Sequence, residues 1–541
     1  MVNKVKRKMF FLISLLGLLI IFAYLETTDI AVLSFKDTEE SNEASLNYET
    51  HDPIFITSTQ DFIDYGFSGN GASGTPFIIA NYSIFAAIGN CIEIKNINDY
   101  FIIENCYLEG SSGYSSGIWL YNIGNDRAIV RNNSIYSHSN GIVLEYDDFS
   151  QVRNNTIEDC EYSIVTWFGV GSIIQENTCI NSKSSISIYD TDSIDIINNT
   201  CKDSMTGIAL REIFQTSICN NSLINTGVYI EFEKIDDYSS LEFSNNTVND
   251  LPISIIMNDK DKTIDSSLYG QIILLNCSGI TVHNPLLTPT PNYGVHLFFS
   301  NSCTINHTLQ VNNNIVAYFS PDTEISNNEC NNLCYPLDEP NKQGAAIEAY
   351  LSNNTIIKDN TCYNYGQGVA LYRSFNVEIL RNTCDYNDEG IGIYSKYCTV
   401  EENVLNSNLV GISLLGSSTL NTSENQVTSN TVSNSIYVGI ELRSYTKDNT
   451  IYNNFFINNY LGGTSQARDD GINNIWYNTL TNTGNYWSDW SGSGPYSIDG
   501  SAGAEDPYPL SSVPEFTISV AFLLTILVSS LVIIPLIKKR K

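Results

Sequence analysis

Basic residues are scarce in this chain: 27 Lys and Arg stand against 59 Asp and Glu, for a formal charge of −32. Part of that small basic complement is spent at the ends, in Lys4, Lys6, Arg7 and Lys8 and in Lys538, Lys539, Arg540 and Lys541, so the portion between them is more acidic still. A surface of that sign excludes nucleic acid as a partner. The five His and four Met form no His-x-His or Met-rich cluster, and the thirteen Cys form no Cys-x-x-Cys. That excludes the soft-donor clusters that bind copper-type ions. Apolar segments between the chain ends are short, too short for helices, and Pro285, Pro289 and Pro291 mark a longer excursion.

What the chain has is a repeat. Asn133, Asn155, Asn177, Asn199 and Asn221 recur at an interval of 22 residues. Three residues before each stands an aliphatic (Val130, Val152, Ile174, Ile196, Ile218), and two residues after each a small apolar side chain (Ile135, Ile157, Cys179, Cys201, Leu223). Eight residues after most of them, Gly or Ser opens an alternating strand such as Gly141-Ile142-Val143-Leu144. A fixed period in the twenties marks a solenoid, and β-branched alternation marks strands. Each period is expected to be one coil of a parallel β-helix, with aliphatic slots inward and Asn at the bend. Asn suits a bend by tolerating left-handed backbone angles, and its amide can bond the Asn of the next coil. The pattern extends through Asn328, Asn360, Asn382, Asn403, Asn430, Asn454 and Asn478. It predicts about sixteen coils, roughly 75 Å of stack at the strand spacing.

The organisation follows in order. Residues 1–25 are a basic start and an apolar run, a secretory signal or signal anchor, and 26–52 a polar linker. Residues 53–484 are the repeats, one long domain, and 485–512 an aromatic cap over the open end of the last coil. Residues 513–541 contain the apolar run 516–537 with a basic tail, expected to be a transmembrane helix. Basic residues outside both apolar runs put the tails in the cytoplasm and the repeats outside the cell. The Asn-Asn-Thr turns also create glycan acceptor sequences, at Asn154 and Asn198 for example, as expected of an exported glycoprotein. Cys179, Cys201, Cys330, Cys362 and Cys384 occupy an apolar slot, so they are expected to fill core rather than to form bonds.

The Asn/Gly-punctuated coils, with Gly484-Asn485-Tyr486-Trp487-Ser488-Asp489-Trp490 and Asp506-Pro507-Tyr508-Pro509-Leu510, resemble the NosD-type right-handed parallel β-helix family over roughly residues 53–510. The resemblance implies an all-β solenoid sharing its fold with pectate lyases and other polysaccharide-active proteins, common on archaeal surfaces. It also implies copper handling, which the missing soft-donor clusters argue against. Val513-Pro514-Glu515-Phe516 resembles an archaeal C-terminal sorting signal.

Function is read from a second ladder. Four residues after each Gly or Ser, on the outward side, stand Tyr121, Glu145, Trp167, Tyr189, Arg211 and Glu231. Aromatics flanked by carboxylate and Arg suit the apolar faces and hydroxyls of a surface glycan, and the coil rise is close to a sugar's length. Ordinary outer-face strand residues give the same pattern. A lyase would instead need clustered carboxylates for Ca²⁺ beside a base. Asp147, Asp148, Asp190, Asp192, Glu212, Asp236 and Asp237, with Arg211, are the candidates, and no catalytic motif singles out any of them. Three classes remain: a membrane-anchored glycan-binding or adhesion protein without cofactor, a polysaccharide-active enzyme, and a structural envelope component.

Overall fold

The computed structural model describes residues 48–111, 113, 115–231, 234, 240–284, 294–311, 313–332, 342, 344–460 and 464–512. The signal segment and the transmembrane run lie outside the described residues. The described chain is an all-β solenoid of parallel strands. A regular coil contributes a short strand before the ladder Asn, a short strand after it, and a longer strand opened by Gly or Ser. In one coil these are Gln151–Arg153, Thr156–Glu158 and Tyr162–Trp167. The next coil repeats them in register, with Val152 beside Ile174, Ile157 beside Cys179 and Ile164 beside Ile186, all fully buried. Each buried aliphatic contributes about 1.5–3 kcal/mol, which no coil could collect alone.

The Asn forms a continuous internal ladder. Asn155 donates both its backbone N–H (3.1 Å) and Nδ2 (2.9 Å) to Asn177 Oδ1, and Asn177 does the same to Asn199 at 3.0 Å each. The same amide also reaches back to the preceding coil, Nδ2 of Asn177 donating to Val152 O at 2.9 Å. The expected backbone role falls one residue earlier. Asn132, Asn154, Glu176, Asn198 and Asn220 hold the left-handed angles, with φ between 55° and 58°, while the ladder Asn does not. The preceding residue turns the chain, and the ladder Asn bonds the turn.

The solenoid has two blocks joined by a reversal. The last short strand of the first block, Thr247–Val248, pairs antiparallel with Leu251–Met257 through Asn249 and Asp250, at φ 47° and 68°. Two consecutive left-handed residues make a tight hairpin, where one makes only a bend. Leu251–Met257 then becomes the first long strand of the second block, so one 19-stranded sheet runs through both. The inward face changes sides. Ile273 and Leu275 pack into the first core, while Ile272 and Leu274 of the same strand pack into the second. Reversal of direction together with exchange of faces is a half-turn about the stacking axis, which preserves the hand of winding. The edge left at the reversal is closed by a side chain: Gln271 donates Nε2 to Val228 O at 2.6 Å and accepts from Val228 N–H at 2.9 Å, in place of a next strand.

Both ends are covered. Pairing begins with Glu49–Thr50 against Tyr82–Ser83, and a six-residue helix, Thr59–Asp64, follows. Its N-terminus is a capping box of Ser58 and Asp61, and Phe62 stacks on Phe77 at 4.5 Å over the first core. The sequence reading has no helix there, because a single turn is too short to show periodicity. At the other end, Asn485 takes the ladder bond of Asn454 and passes its own N–H to Asp506 at 2.7 Å. Asp506 also accepts Trp487 Nε1 at 2.9 Å, and Trp487 lies between Phe456 (4.5 Å) and Tyr496 (4.2 Å). Gly484 is required there, because a Cβ would sit 1.9 Å from the Asp506 carboxyl.

Candidate functional site

In the first block the six sequence-predicted residues stand in one cross-strand row. Register pairs Tyr121 with Glu145, Glu145 with Trp167, Trp167 with Tyr189, Tyr189 with Arg211 and Arg211 with Glu231, and adds Lys95 beside Tyr121. The alternation of a strand turns the neighbouring Leu120, Leu144, Ile188 and Leu210 into the core and leaves this row facing solvent. Its members interact along the axis. Trp167 and Tyr189 lie face to face at 6.5 Å and 26°. The Arg211 guanidinium sits 5.6 Å from the Tyr189 ring and pairs with Glu231 at 2.5 Å. Trp119, in the adjacent row, donates Nε1 to Glu145 Oε2 at 3.1 Å beneath Lys95 Nζ, which lies 4.1 Å over its ring. Beside them is a depression of about 410 Å³, lined by Asn90, Trp119, Asn140, Glu145, Tyr162 and Trp167.

The sequence reading missed the aromatics at the next position. Tyr146 and Phe168 are exposed and stack at 5.0 Å, and Tyr121 meets Tyr146 edge-on at 5.8 Å. Both hold left-handed backbone, φ 50° and 57°, which costs a bulky side chain energy that Asn or Gly would avoid. Their signal was present one residue beyond the ladder, but nothing in sequence showed that the bend presents that position on the same face. Together the two rows make an aromatic platform edged by Lys95, Glu145, Arg211 and Glu231.

The acidic candidates do not converge. Asp147 is buried, accepts Ser150 Oγ at 2.8 Å, and is pushed up to about 7 by burial. Asp148 accepts the Val170 N–H, while Asp190 and Glu212 are left-handed bend residues of successive coils. Asp236 and Asp237 lie outside the described residues. Among the described residues no three His, Cys, Asp or Glu groups are placed to hold a metal ion.

Soft donors fare no better. Cys330, Cys362 and Cys384 form a register row in the second core, each fully buried, and Cys179 and Cys201 pair in the first. Burial holds the Cys201 thiol at about 12, so it stays protonated and is a poor metal donor. Cys91 and His138 meet at 3.7 Å, but burial raises the Cys91 thiol to about 12, and the pair is only two donors. These residues do not fit a copper site.

Comparison with known proteins gives a family. Matches among solved structures include the mannuronan C-5 epimerase AlgE6 A-module of Azotobacter vinelandii, at 11% identity and TM-score 0.20, covering 70% of this chain and 91% of that one. The surface adhesin PfbA of Streptococcus pneumoniae matches at 14% identity and TM-score 0.21, covering 77% and 92%. The tailspike of Escherichia coli bacteriophage HK620, in complex with a pentasaccharide, matches at 10% identity and TM-score 0.23, covering 79% and 72%. At that level of superposition none of them transfers a ligand or an activity to this chain. No curated protein sequence matches. The family model described as periplasmic copper-binding protein (NosD) matches residues 47–250 and 276–492, most of the solenoid in both blocks, and the chain belongs to that family.

Proposed function

We propose that this NosD-family solenoid works outside the cytoplasm as a carbohydrate-binding surface protein, holding an extended glycan along the platform of the first block. The observation that carries this is the register row itself: Tyr121, Glu145, Trp167, Tyr189, Arg211 and Glu231 lie side by side on a solvent-facing sheet. Aromatic faces supply area for the apolar side of a sugar, and the flanking carboxylate and guanidinium bond its hydroxyls. The strand spacing, roughly 4.8 Å, matches successive residues of a chain of sugars laid across the coils. Copper delivery is not proposed, because most of the thiols are buried in the core and among the described residues no three His, Cys, Asp or Glu groups are placed to hold an ion.

Anchoring through residues 516–537 belongs to the same reading and rests on the apolar run and its basic tail. Among the described residues no helix is long and apolar enough to cross a membrane. The test is a glycan array probed with the full chain and with Trp167→Ala, with and without Ca²⁺. Binding of at least one glycan that is weakened in the variant and indifferent to Ca²⁺ is expected. A parent protein that retains no glycan, or a variant that retains all of them, refutes the assignment.

A further inference from the structure

The long strands of the second block present an outer face of different chemistry. One row of the register holds Val316, Glu348, Ala370, Gly392, Ser413 and Glu441. Two residues further along each strand, a second row holds Tyr318, Tyr350, Tyr372 and Tyr394. The small residues in the middle of the first row leave a trough of about 660 Å³, with Lys342, Glu348, Gln367, Tyr372, Asp388 and Glu389 in its lining. Gly392 is what opens it. A Cβ there would sit 2.6 Å from Gln367 Nε2 and 2.9 Å from Glu389 Oε2, which lie across the bare backbone.

The polar groups are arranged as a chain along the trough. The Tyr372 hydroxyl donates to Gln367 Oε1 at 2.8 Å, and Gln367 Nε2 donates to Glu389 Oε2 at 2.7 Å. Ser413 Oγ donates to Glu441 Oε1 at 3.0 Å, and Arg443 Nε holds the same oxygen at 2.8 Å. Glu348 is least satisfied: the one bond recorded for it among the described residues is a long contact from the Tyr318 hydroxyl, 3.4 Å. A half-buried carboxyl with unused bonding capacity, lining a cavity, is suited to a polar ligand. Burial raises Glu348 and Glu389 above the usual carboxylate range.

We infer that this trough is a second saccharide site, distinct from the first-block platform, and that it takes an uncharged, hydroxyl-rich chain. The Tyr372 ring supplies an aromatic wall, and the amide, carboxyl and hydroxyl groups along the floor match the donors and acceptors of neutral sugars. Three acidic side chains, Glu348, Asp388 and Glu389, line the trough against one cation, Lys342, whose Nζ donates to the Tyr386 carbonyl at 2.7 Å, and Arg443 nearby is paired with Glu441. A polyuronate would meet that region with like charge, which disfavours its binding. The first-block platform, with Lys95 and Arg211, carries no such bar.

The inference rests on the carbohydrate reading only for its ligand class. The experiment separates them by calorimetry on the full chain with neutral gluco- and manno-hexasaccharides and with a hexauronate. Trp167→Ala is expected to retain one neutral-saccharide site. Tyr372→Ala, which removes the wall, is expected to weaken that site about tenfold, and Glu348→Gln by a smaller factor. Both positions face outward, and circular dichroism with the unfolding midpoint verifies that each variant folds. Equal affinity of Tyr372→Ala and Glu348→Gln for the neutral hexasaccharides, equal affinity of this site for the hexauronate, or loss of all binding in Trp167→Ala overturns the second site. In the last case the first platform stands, whereas retention of every affinity by Trp167→Ala refutes the first platform without touching the second.

Discussion

Replacing Asn177 by Ala should break the stack at one coil. Asn177 donates to Asn199 Oδ1 twice, at 3.0 Å, and to Val152 O at 2.9 Å. It accepts two more bonds, from Asn155 N–H at 3.1 Å and Asn155 Nδ2 at 2.9 Å. Truncation leaves at least three buried partners without a bond: the Asn155 N–H, the Val152 carbonyl and one lone pair of Asn199. Each unsatisfied buried group costs about 1–3 kcal/mol, and a water in the vacated space recovers part of that. The expected loss is about 3–6 kcal/mol, concentrated in the coils from Val152 to Asn199. Hydrogen exchange of the full chain should therefore show protection falling by two to four orders of magnitude there, with less change in the second block, since repeat proteins distribute stability by neighbours. Asn154→Gly, one residue before a ladder Asn, should be nearly silent, because Gly adopts the left-handed angle freely. Unchanged exchange in Asn177→Ala, or an equal effect of Asn154→Gly, would refute the division of labour between the two Asn positions.

Other outcomes follow from the same geometry. Trp167→Ala and Tyr189→Ala should each weaken glycan binding by about 1–3 kcal/mol in calorimetry, while the unfolding midpoint stays put, because both rings face solvent. Gln271→Leu should strip the Val228 N–H and carbonyl of their partners and cost about 2–4 kcal/mol, seen as exchange at Val228 without loss of the second block. Ile196→Asp should prevent folding of the first block, because Ile196 is fully buried and a charge there has no partner; a folded variant with parent stability sinks the inward assignment. Asp147 gives a pH test. Its folded value, about 7, lies above the ordinary 3.8, so between about pH 4 and 7 the folded state holds a proton that the unfolded state has released. Parent stability should fall relative to Asp147→Asn across that window, by up to about 1.4 kcal/mol per unit, and the difference should be constant above about pH 8. A difference independent of pH would mean that the carboxyl is hydrated.

The solenoid, its inward slots and the row of outward residues are legible in the repeat. Coil periodicity is a local property: each coil repeats the same contacts with its neighbour, so an aliphatic three before an Asn, as at Ile174 and Ile196, has one place to go. Register then carries Trp167 to Tyr189 without further information. Three features waited on the tertiary structure. The reversal at Asn249 and Asp250 differs from an ordinary bend by one extra left-handed residue, and its effect is a change of which face is core. The apolar run Ile272–Leu275 hinted at a strand buried on both sides, but only the packing of two cores against one sheet shows why. The platform aromatics Tyr146 and Phe168 belong to bends, whose exposure depends on how adjacent coils stack. The trough around Gly392 needs rows from coils as far apart as Glu348 and Glu441, and depends on side chains that are absent as much as on those present. Period and polarity report what lies inward, because burial imposes the same demand on every coil. An outward site has no such repetition, and its members come together only when the coils are laid side by side.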